Sequence, residues 1–523
     1  MSTHRKIARS AGVIGALTGV SRVLGFIRDL VIAAAFGTGV GAEAFVVSFK
    51  LPNLLRDLVG EGAANAAFVP VLTECREKRP QDFGKLVSTL FLILSAVLAV
   101  FAVLGVVFAP FIVRLIAPGF AAASDPSKLP LTIELTRVIF PYVLLIGLSA
   151  LAMGVLNSTG EFTSSAFGPI LLNLSMIACG VLLEGTYGPM ALVWGVLAGG
   201  VLQLGCQVPP LLSRGIRLER PDWNLPAVRR IGKLLVPRAL GSALYQINVF
   251  VDSILASFES IVGPGAQSAL YYSNRLFQLP LAIFGISLAQ ALLPAFSTQA
   301  VRQDVEGFKR TFSMALRGLG LAALPAAVGL GVLARPIVRI IFEHGRFDAA
   351  STRITSSALF FYAFGLLSCC FIKVLVNAFY AMQDTRTPVR TMGVSVGLNV
   401  ALSLMLMGPM GIGGLTLASS VSATFNAALL YRALRRRVGP LGGRRILGSL
   451  ARVGGASAAM GFCAWIWDVR VLTAHAGAGR LVEGGLLAAG IALSVLAYLV
   501  FVFLLKVEEA RDLLKWRRSS PKP

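Results

Sequence analysis

Charged residues interrupt an apolar stretch close to the start of the chain. The segment SRVLGFIRDL begins at Ser21 and contains two arginines and one aspartate. On a helix that turns about 100° per residue, the side chains of Arg22, Arg28 and Asp29 fall within about 60° of Gly25, and the apolar side chains point elsewhere. The spacing therefore predicts a charged stripe on one face of an apolar helix. Guanidinium groups on such a stripe suit an anionic ligand, because their planar forks make bidentate contacts.

Two further segments repeat this pattern. In FKLPNLLRDLVGEG, which starts at Phe49, the polar side chains gather around one helix face. They are Lys50, Asn53, Arg56 and Asp57, with Gly60 on the same face and Glu43 and Glu61 at its edges. In YYSNRLFQLP, Arg275 lies about one turn before Gln278. The three segments together form a candidate substrate-binding site.

Two hypotheses explain these charges. An arginine in the middle of a membrane costs about 2.5–3.5 kcal/mol on insertion scales, so it normally faces a wet cavity or a partner. The first hypothesis is internal pairing, of Arg22 with Asp29 and of Arg56 with Asp57 or Glu61. The second is a cationic cavity in which the cations outnumber the carboxylates; these cations are Arg22, Arg28, Lys50, Arg56 and Arg275. Such a cavity predicts a phosphate or pyrophosphate ligand.

The composition is that of a polytopic membrane protein. Of the 523 residues, 56% are hydrophobic and 14% are charged, whereas soluble proteins have about 25% charged residues. The formal net charge of +23 does not indicate a nucleic-acid surface, because most basic residues lie in short segments between apolar runs. Their bias toward one side predicts that both termini are cytoplasmic. The basic tail KWRRSSPKP is then interpreted as ordinary positive charge on the cytoplasmic side, which anchors the chain at the membrane surface.

Apolar runs of about 20 residues predict about fourteen transmembrane helices. They lie near 11–36, 42–73, 86–117, 131–157, 165–184, 188–212, 231–258, 267–298, 311–342, 354–381, 388–408, 411–434, 446–467 and 481–505. The chain also repeats, since APFIVRLIAPGF returns as ARPIVRIIFEHGRF with the IVR triplets 225 residues apart. About six spans fit into that shift, so the two copies share one orientation. We therefore predict an all-α fold with an N-lobe at 1–212, a C-lobe at 213–437, and two extra helices with a basic tail at 438–523.

The sequence shows no group of residues with the types and spacing of a catalytic or metal-binding site. The three histidines, His4, His344 and His475, are isolated, and the six cysteines show no metal-like spacing. The sequence therefore predicts neither an enzyme, nor a metal site, nor a bound cofactor. Two parallel repeats that meet at a central cavity are instead typical of a transporter.

The same segments carry a family resemblance. SRVLGFIRD, FKLPNLLRDLVGEGAANAAFVPVLTE, FPYVLLIGLSALAMGVLNS, NRLFQLP and FYAMQDTRTPV resemble the MurJ (MviN) lipid II flippases of the multidrug/oligosaccharidyl-lipid/polysaccharide exporter superfamily. The resemblance runs from about Thr18 to Arg437 and implies two six-helix lobes in a V shape. It also implies that the last two helices form a groove for a polyprenyl tail, and that a lipid-linked peptidoglycan precursor moves outward.

The resemblance also implies roles for particular residues. Four arginines match those that the family needs for function, namely Arg22, Arg28, Arg56 and Arg275. Glu43 lies where the family has an acidic residue. Asn274 and Gln278 stand where some relatives carry carboxylates, so the resemblance does not fix the ion pairing around Arg275.

Two polar residues in other apolar spans are candidates for binding a coupling cation. Asp252 lies in INVFVDSILASF, and Asn377 lies in the tenth predicted span. Since the resemblance implies that some relatives depend on sodium, Na+ is the candidate ion. Hydrogen bonding between helices explains the same two residues at least as well.

Together with the transporter-like repeat, the resemblance implies a lipid II flippase of the bacterial cytoplasmic (inner) membrane that works by alternating access. Its candidate partners are lipid II, which is an undecaprenyl-diphosphate-linked muropeptide, membrane lipids, and proteins of cell-wall synthesis. Three alternatives stay open: a flippase for another polyprenyl-diphosphate glycan such as an O-antigen unit, a drug/cation antiporter, and a membrane scaffold that transports nothing. An antiporter would favour carboxylates and aromatic residues over arginines in its cavity.

Overall fold

The computed structural model describes residues 3–56, 63–217 and 219–510. Every regular element in these ranges is a helix. Helices are favoured in lipid because they satisfy their own backbone hydrogen bonds. The chain divides into two compact units: unit 1 comprises Met1–Ser260 with His344–Phe347, and unit 2 comprises Ile261–Glu343 with Asp348–Pro523.

Unit 1 runs from α1 to α12. The helices are α1 (Thr3–Phe36), α2 (Val40–Arg56), α3 (Ala63–Lys78), α4 (Pro80–Val107), α5 (Ala109–Ile116), α6 (Lys128–Ile139), α7 (Tyr142–Ser158), α8 (Thr163–Leu182), α9 (Glu184–Tyr187), α10 (Met190–Gly205), α11 (Val208–Ser213) and α12 (Pro226–Ala256). A 3-10 turn, Pro118–Ala122, follows α5, and the short α13 (Glu259–Val262) leads from unit 1 into unit 2.

Unit 2 runs from α14 to α23. The helices are α14 (Ala266–Pro280), α15 (Ser287–Val301), α16 (Val305–Val332), α17 (Ala334–Phe342), α18 (Ala349–Ala363), α19 (Leu366–Ala381), α20 (Arg386–Met410), α21 (Ile412–Val438), α22 (Gly443–Trp467) and α23 (Arg480–Leu504). A π-helical segment, Leu281–Ile286, joins α14 to α15, and a second one, Asp468–Leu472, follows α22.

The repeated IVR motif folds in the same way in both units. α4 and α16 each contain 28 residues, and after a one-residue break each is followed by a short helix, α5 or α17, that carries the motif. The sequence had predicted one continuous span across each break, at 86–117 and at 311–342. Pro110 and Pro336 explain the difference, because proline lacks the N–H that a continuous helix would need and is tolerated in a first turn.

The described ranges contain ten helices that are long and apolar enough to cross a membrane, or eleven spans if the bent pair α18 and α19 forms one. The two helices of that pair meet at 48°. Helices α1, α2 and α12, where the sequence predicted three further spans, are outside this group. The prediction of a polytopic all-α membrane protein is thus confirmed, and the count of fourteen stays a prediction.

Glycines bring α8 and α10 into close contact. A Cβ atom at Gly195 would lie 2.8 Å from Met176 Cα, and one at Gly199 would lie 2.9 Å from Leu172 Cα. Small residues of this kind let the backbones of membrane helices approach each other. α8 also packs along α1, so its position is coupled to the helix that carries the first arginines.

α12 belongs to unit 1 by its contacts. It packs against α3, α4 and α5, and Ile231 lies in a buried cluster with Phe83, Leu86 and Leu90. The repeat had placed this helix in the C-lobe, which was predicted to begin at residue 213. The predicted lobes follow the sequence repeat, whereas the two units are defined by packing contacts. The lobe boundaries therefore stay a prediction.

The last two helices are held to the rest of unit 2 near both ends of α23. At its start, Arg339 Nη2 lies 3.2 Å from Glu483 Oε2, and beyond its end Arg317 Nη1 lies 2.6 Å from Glu509 Oε1. α22 packs along α16 between these contacts. The pair α22 and α23 is therefore an integral part of unit 2.

Candidate functional site

α1 buries Arg28 and Asp29 and leaves Arg22 exposed. Arg28 Nε and Nη2 donate to Asp29 Oδ1 over 3.0 and 2.8 Å, and Nη1 donates to Asn173 Oδ1 over 3.0 Å. Asp29 therefore orients the guanidinium and offsets its charge. The pairing hypothesis had named Arg22 as the partner of Asp29, whereas the structure shows an ion pair between Asp29 and Arg28.

Asn173 on α8 completes this arrangement, and the sequence analysis missed it. Its Nδ2 donates to the Ser21 carbonyl over 3.0 Å while its Oδ1 accepts from Arg28. The amide thus connects the backbone of α1 to the guanidinium two turns further along. The available signal was an amide inside the apolar segment PILLNLSMI, where a polar side chain needs a partner on another helix.

Glu43, close to the start of α2, belongs to a buried charge cluster. Lys128, which is fully buried at the start of α6, contacts the carboxylates of both Glu43 and Glu259. The Lys128 ammonium also lies 4.3 Å from the centroid of the Phe120 ring. The sequence had assigned Glu43 to the substrate site, but its carboxylate is engaged by Lys128. A further role of Glu43 in substrate binding stays a prediction.

The third member of the cluster, Glu259, lies just after α12. Burial alone would raise the pKa of the Glu259 carboxyl, but hydrogen bonds from Lys128 and Ser124 hold that pKa below its usual range. The Ser124 N–H and hydroxyl donate to Glu259 Oε2 over 3.1 and 2.9 Å. Lys128 is 85 residues from Glu43 and 131 from Glu259, so no local pattern in the sequence could have joined them.

The other polar residues of the second stripe are half-buried on α2; they are Lys50, Asn53 and Arg56. Arg56 is the last residue of the helix. Asp57 and Glu61 lie outside the described residues. The pairing predicted for Arg56 and the binding role predicted for Glu61 therefore stay predictions.

α14 carries the third cationic position. The Arg275 guanidinium lies over the Tyr271 ring, with Cζ 4.9 Å from the ring centroid, and Nη2 donates to the Tyr271 hydroxyl over 3.2 Å. Gln278 is exposed, and its Nε2 lies 3.4 Å from Asn274 Oδ1. The sequence analysis considered the amides but missed Tyr271, which precedes Arg275 by one turn and orients it by stacking.

Comparison with known proteins connects this arrangement to one family. The family model described as "Lipid II flippase MurJ" matches residues 32–482. A probable lipid II flippase MurJ of Vibrio cholerae is 34% identical over 519 residues, which cover 97% of this chain and 98% of the relative. The lipid II flippase MurJ of Burkholderia cenocepacia is 36% identical over 441 residues, which cover 82% of this chain and 84% of the relative. This chain belongs to the MurJ family.

Solved structures show the fold that the MurJ family shares with other transporters. A lipid II flippase MurJ in an inward closed conformation aligns with a TM-score of 0.79 and 24% identity, over 96% of this chain and 99% of that one. An inward-facing multidrug resistance MATE transporter of the MOP superfamily aligns with a TM-score of 0.67 and 15% identity, over 80% of this chain and 95% of that one. At these identities the likeness is one of fold alone.

The two residues predicted to bind a coupling cation in this MurJ-family chain lie in different units. Asp252 is half-buried on α12 in unit 1. In unit 2, Asn377 Nδ2 donates to the Ala289 carbonyl over 2.7 Å and so joins α19 to α15. This is a hydrogen bond between helices, the alternative to cation binding for this residue. Among the described residues, no group of three or more His, Cys, Asp or Glu side chains is placed to hold a metal ion.

The family motif FYAMQDTRTPV forms the turn between α19 and α20. Asp384 accepts from the backbone N–H of Thr387 over 3.0 Å and from its hydroxyl over 2.7 Å, and it also accepts from Arg437 at the end of α21. The Thr387 and Arg437 donors outweigh burial and lower the pKa of Asp384 to about 2. The motif thus fastens the start of α20 to the end of α21, and its polar residues Asp384 and Thr387 stabilise the structure within unit 2.

Proposed function

We propose that this chain is a lipid II flippase, which moves undecaprenyl-diphosphate-linked peptidoglycan precursor from the inner to the outer leaflet of the cytoplasmic membrane. The observation that carries the proposal is the match to a probable lipid II flippase along 97% of the chain at 34% identity. The cationic positions on α1, α2 and α14 suit the head group, since a diphosphate needs guanidinium donors that stay charged at physiological pH. The chain acts as a transporter and not as an enzyme.

In this proposal the head group binds at the polar segments of α1, α2 and α14. The binding residues are Arg22, Arg28, Arg56, Arg275, Lys50 and Asn53, with Glu43, Asp29, Glu61 and Gln278 as supporting polar groups. The contacts of Arg28 support different roles for the two arginines of α1. Asp29 and Asn173 hold the buried guanidinium in one orientation, while Arg22 is exposed on the same helix. Orientation of this kind lowers the entropy lost when a ligand binds.

The proposed mechanism is alternating access between the N-lobe at 1–212 and the C-lobe at 213–437, with the polyprenyl tail held by the helices of 438–523. With both termini in the cytoplasm, an inside-negative potential assists the outward step, because moving two negative charges gains about 4–5 kcal/mol per 100 mV. Na+ is the candidate coupling ion, with Asp252 and Asn377 as its candidate ligands. Candidate protein partners are the proteins of cell-wall synthesis.

The test is complementation after depletion of the chromosomal copy in the host cell. A variant with Arg22→Gln, Arg28→Gln and Arg56→Gln is expected to reach the membrane at normal levels and to fail to support growth. The matched control removes the same charge at three exposed arginines outside the proposed site and the tail-binding helices: Arg302→Gln, Arg310→Gln and Arg390→Gln. Growth with the first triple variant would refute the proposed site and favour a scaffold that transports nothing.

A second measurement separates lipid II from other polyprenyl-diphosphate glycans. Purified protein in nanodiscs binds labelled lipid II, and unlabelled lipid II competes with an O-antigen-type lipid of the same tail. We expect lipid II to compete at the lower concentration. Equal competition would leave the diphosphate as the recognised group and remove the assignment to peptidoglycan.

A further inference from the structure

The segment between α11 and α12 is fastened along α4. The backbone N–H of Glu219 donates to Ser88 Oγ over 2.7 Å, and that of Asp222 donates to Thr89 Oγ1 over 2.8 Å. Three residues later, Leu225 is buried in the cluster that contains residues of α3 and α4. We call residues 219–225 the strap. Two hydrogen bonds and one buried side chain within seven residues hold the strap backbone in place on α4.

The position of the strap on α4 fixes its depth in the membrane. Residues 86–107 of α4 contain no charged side chain, and they span about 33 Å at 1.5 Å per residue, which matches a hydrocarbon core of about 30 Å. Lys85 is the last charged residue before this stretch. Ser88 and Thr89 follow it within about one turn. The strap therefore lies at the level of the lipid head groups.

The outer side of the strap is aromatic and basic. Trp223 is 57% exposed between two anchored positions. Arg220 within the strap, Arg217 just before it and Arg229 in the first turn of α12 are also exposed. The acidic residues of the same segment are Glu219, which is exposed, and Asp222, which is half-buried. The segment thus offers three exposed guanidiniums and an indole beside two carboxylates.

We propose that the strap is a binding surface for anionic phospholipid head groups, in the leaflet at the N-terminal end of α4. An indole at this depth is favoured because its apolar body enters the acyl boundary and its N–H stays among the head groups. Guanidiniums beside it attract the phosphates of an anionic leaflet. A protein partner would fit an exposed tryptophan in water, but the depth on α4 places this one against lipid. The proposal is independent of the transported substrate.

The first experiment measures where Trp223 lies. The full chain is reconstituted in phosphatidylcholine vesicles that contain lipids brominated close to the head group or deep in the acyl chain. The sequence has five tryptophans, so the fluorescence of Trp223 is taken as the difference between the native chain and Trp223→Phe. We expect this component to be quenched more strongly by the shallow bromine. Stronger quenching by the deep bromine, or no quenching by either, would overturn the proposal.

The second experiment measures lipid selectivity. Brominated phosphatidylglycerol is compared with brominated phosphatidylcholine at equal mole fraction, and the Trp223 component is expected to be quenched about twofold more by the anionic lipid. Arg217→Gln with Arg220→Gln should abolish that preference. Arg302→Gln with Arg445→Gln removes the same charge elsewhere and should preserve it. Equal quenching by the two lipids in the native chain would refute the proposal, whether or not the double variants fold.

Discussion

At the scale of single residues, the arginine inside the apolar α1 helix has a defined chemical environment. Desolvation of a buried guanidinium is expensive unless its donors are satisfied, and Arg28 meets this condition with Asp29 and Asn173. The arrangement uses Nε, Nη1 and Nη2 at once. A point charge cannot reproduce this geometry, so the shape of the cation matters as well as its charge.

Arg28→Lys is expected to reduce lipid II translocation by about tenfold or more, since hydrogen bonds to charged groups contribute about 1.5–3 kcal/mol each. The measurement is lipid II accessibility in reconstituted vesicles at equal protein content. Arg302→Lys makes the same change at an exposed arginine and should translocate normally. Normal translocation by Arg28→Lys would remove the role of Arg28 in diphosphate binding.

The Lys128 cluster gives a second prediction for a single residue. Lys128→Met removes the ammonium that the buried Glu43 carboxylate and the half-buried Glu259 carboxylate share, so a destabilisation of about 3–5 kcal/mol is expected. It should lower the apparent unfolding temperature of the detergent-purified protein. Lys309→Met breaks the pair with Glu306, whose carboxylate is exposed, and should have a small effect of about 0–1 kcal/mol.

A triple variant controls for the loss of the lysine itself. Lys128→Met with Glu43→Gln and Glu259→Gln also removes the charges of both carboxylates, and it should unfold at a higher temperature than Lys128→Met alone. If the single variant were as stable as Lys309→Met, the cluster would have no energetic role in unit 1.

At the scale of helices, the position of α8 couples packing to the arginine stripe. α8 packs against both α1 and α10, and it carries Asn173. Its distance from α10 is set by backbone contacts at Gly195 and Gly199. A change on α10 can therefore shift Asn173 relative to Arg28 although it touches neither residue.

Gly195→Ala is expected to destabilise the protein by about 1–3 kcal/mol, because the added methyl group meets the backbone of α8, which cannot rotate away. The readout is the apparent unfolding temperature. Gly205→Ala lies in the same helix with open space around its Cβ position, so it should leave that temperature nearly unchanged. Equal effects of the two substitutions would show that close packing of α8 on α10 is not what limits stability.

At the scale of the whole molecule, the last two helices are expected to move together with unit 2. The pairs Arg339–Glu483 and Arg317–Glu509 fasten α23 near both of its ends. Elements that are joined at two distant points behave as one rigid body during rocking motions. The groove proposed for the lipid tail would then be carried by unit 2.

A cross-link tests this expectation. In a variant without the six native cysteines, Arg339→Cys and Glu483→Cys are joined by a short bis-maleimide. Translocation is expected to stay within about twofold of the uncross-linked pair, because a link within one rigid body blocks no step. Arrest of translocation by the cross-link would show that α23 moves relative to α17 during the cycle.

Much of the fold followed from the sequence. Long apolar runs predicted the polytopic all-α fold, and the IVR repeat predicted two copies that fold alike, as α4–α5 and α16–α17 do. The breaks at Phe108 and Leu333 were missed because proline in a first helical turn does not interrupt hydropathy. The two π-helical segments were also not predicted, because the length of an apolar run does not distinguish a π-helix from an α-helix.

What the sequence determined by itself was local: which segments are apolar helices, which positions on them carry charge, and which family the motifs resemble. Only the tertiary structure decided the partners, pairing Arg28 with Asp29 and Asn173 and enclosing Lys128 between Glu43 and Glu259. Helical periodicity fixes the direction of a side chain from its near neighbours alone. The group that it meets depends on which helices pack together, and that is set by close contacts between residues far apart in the chain.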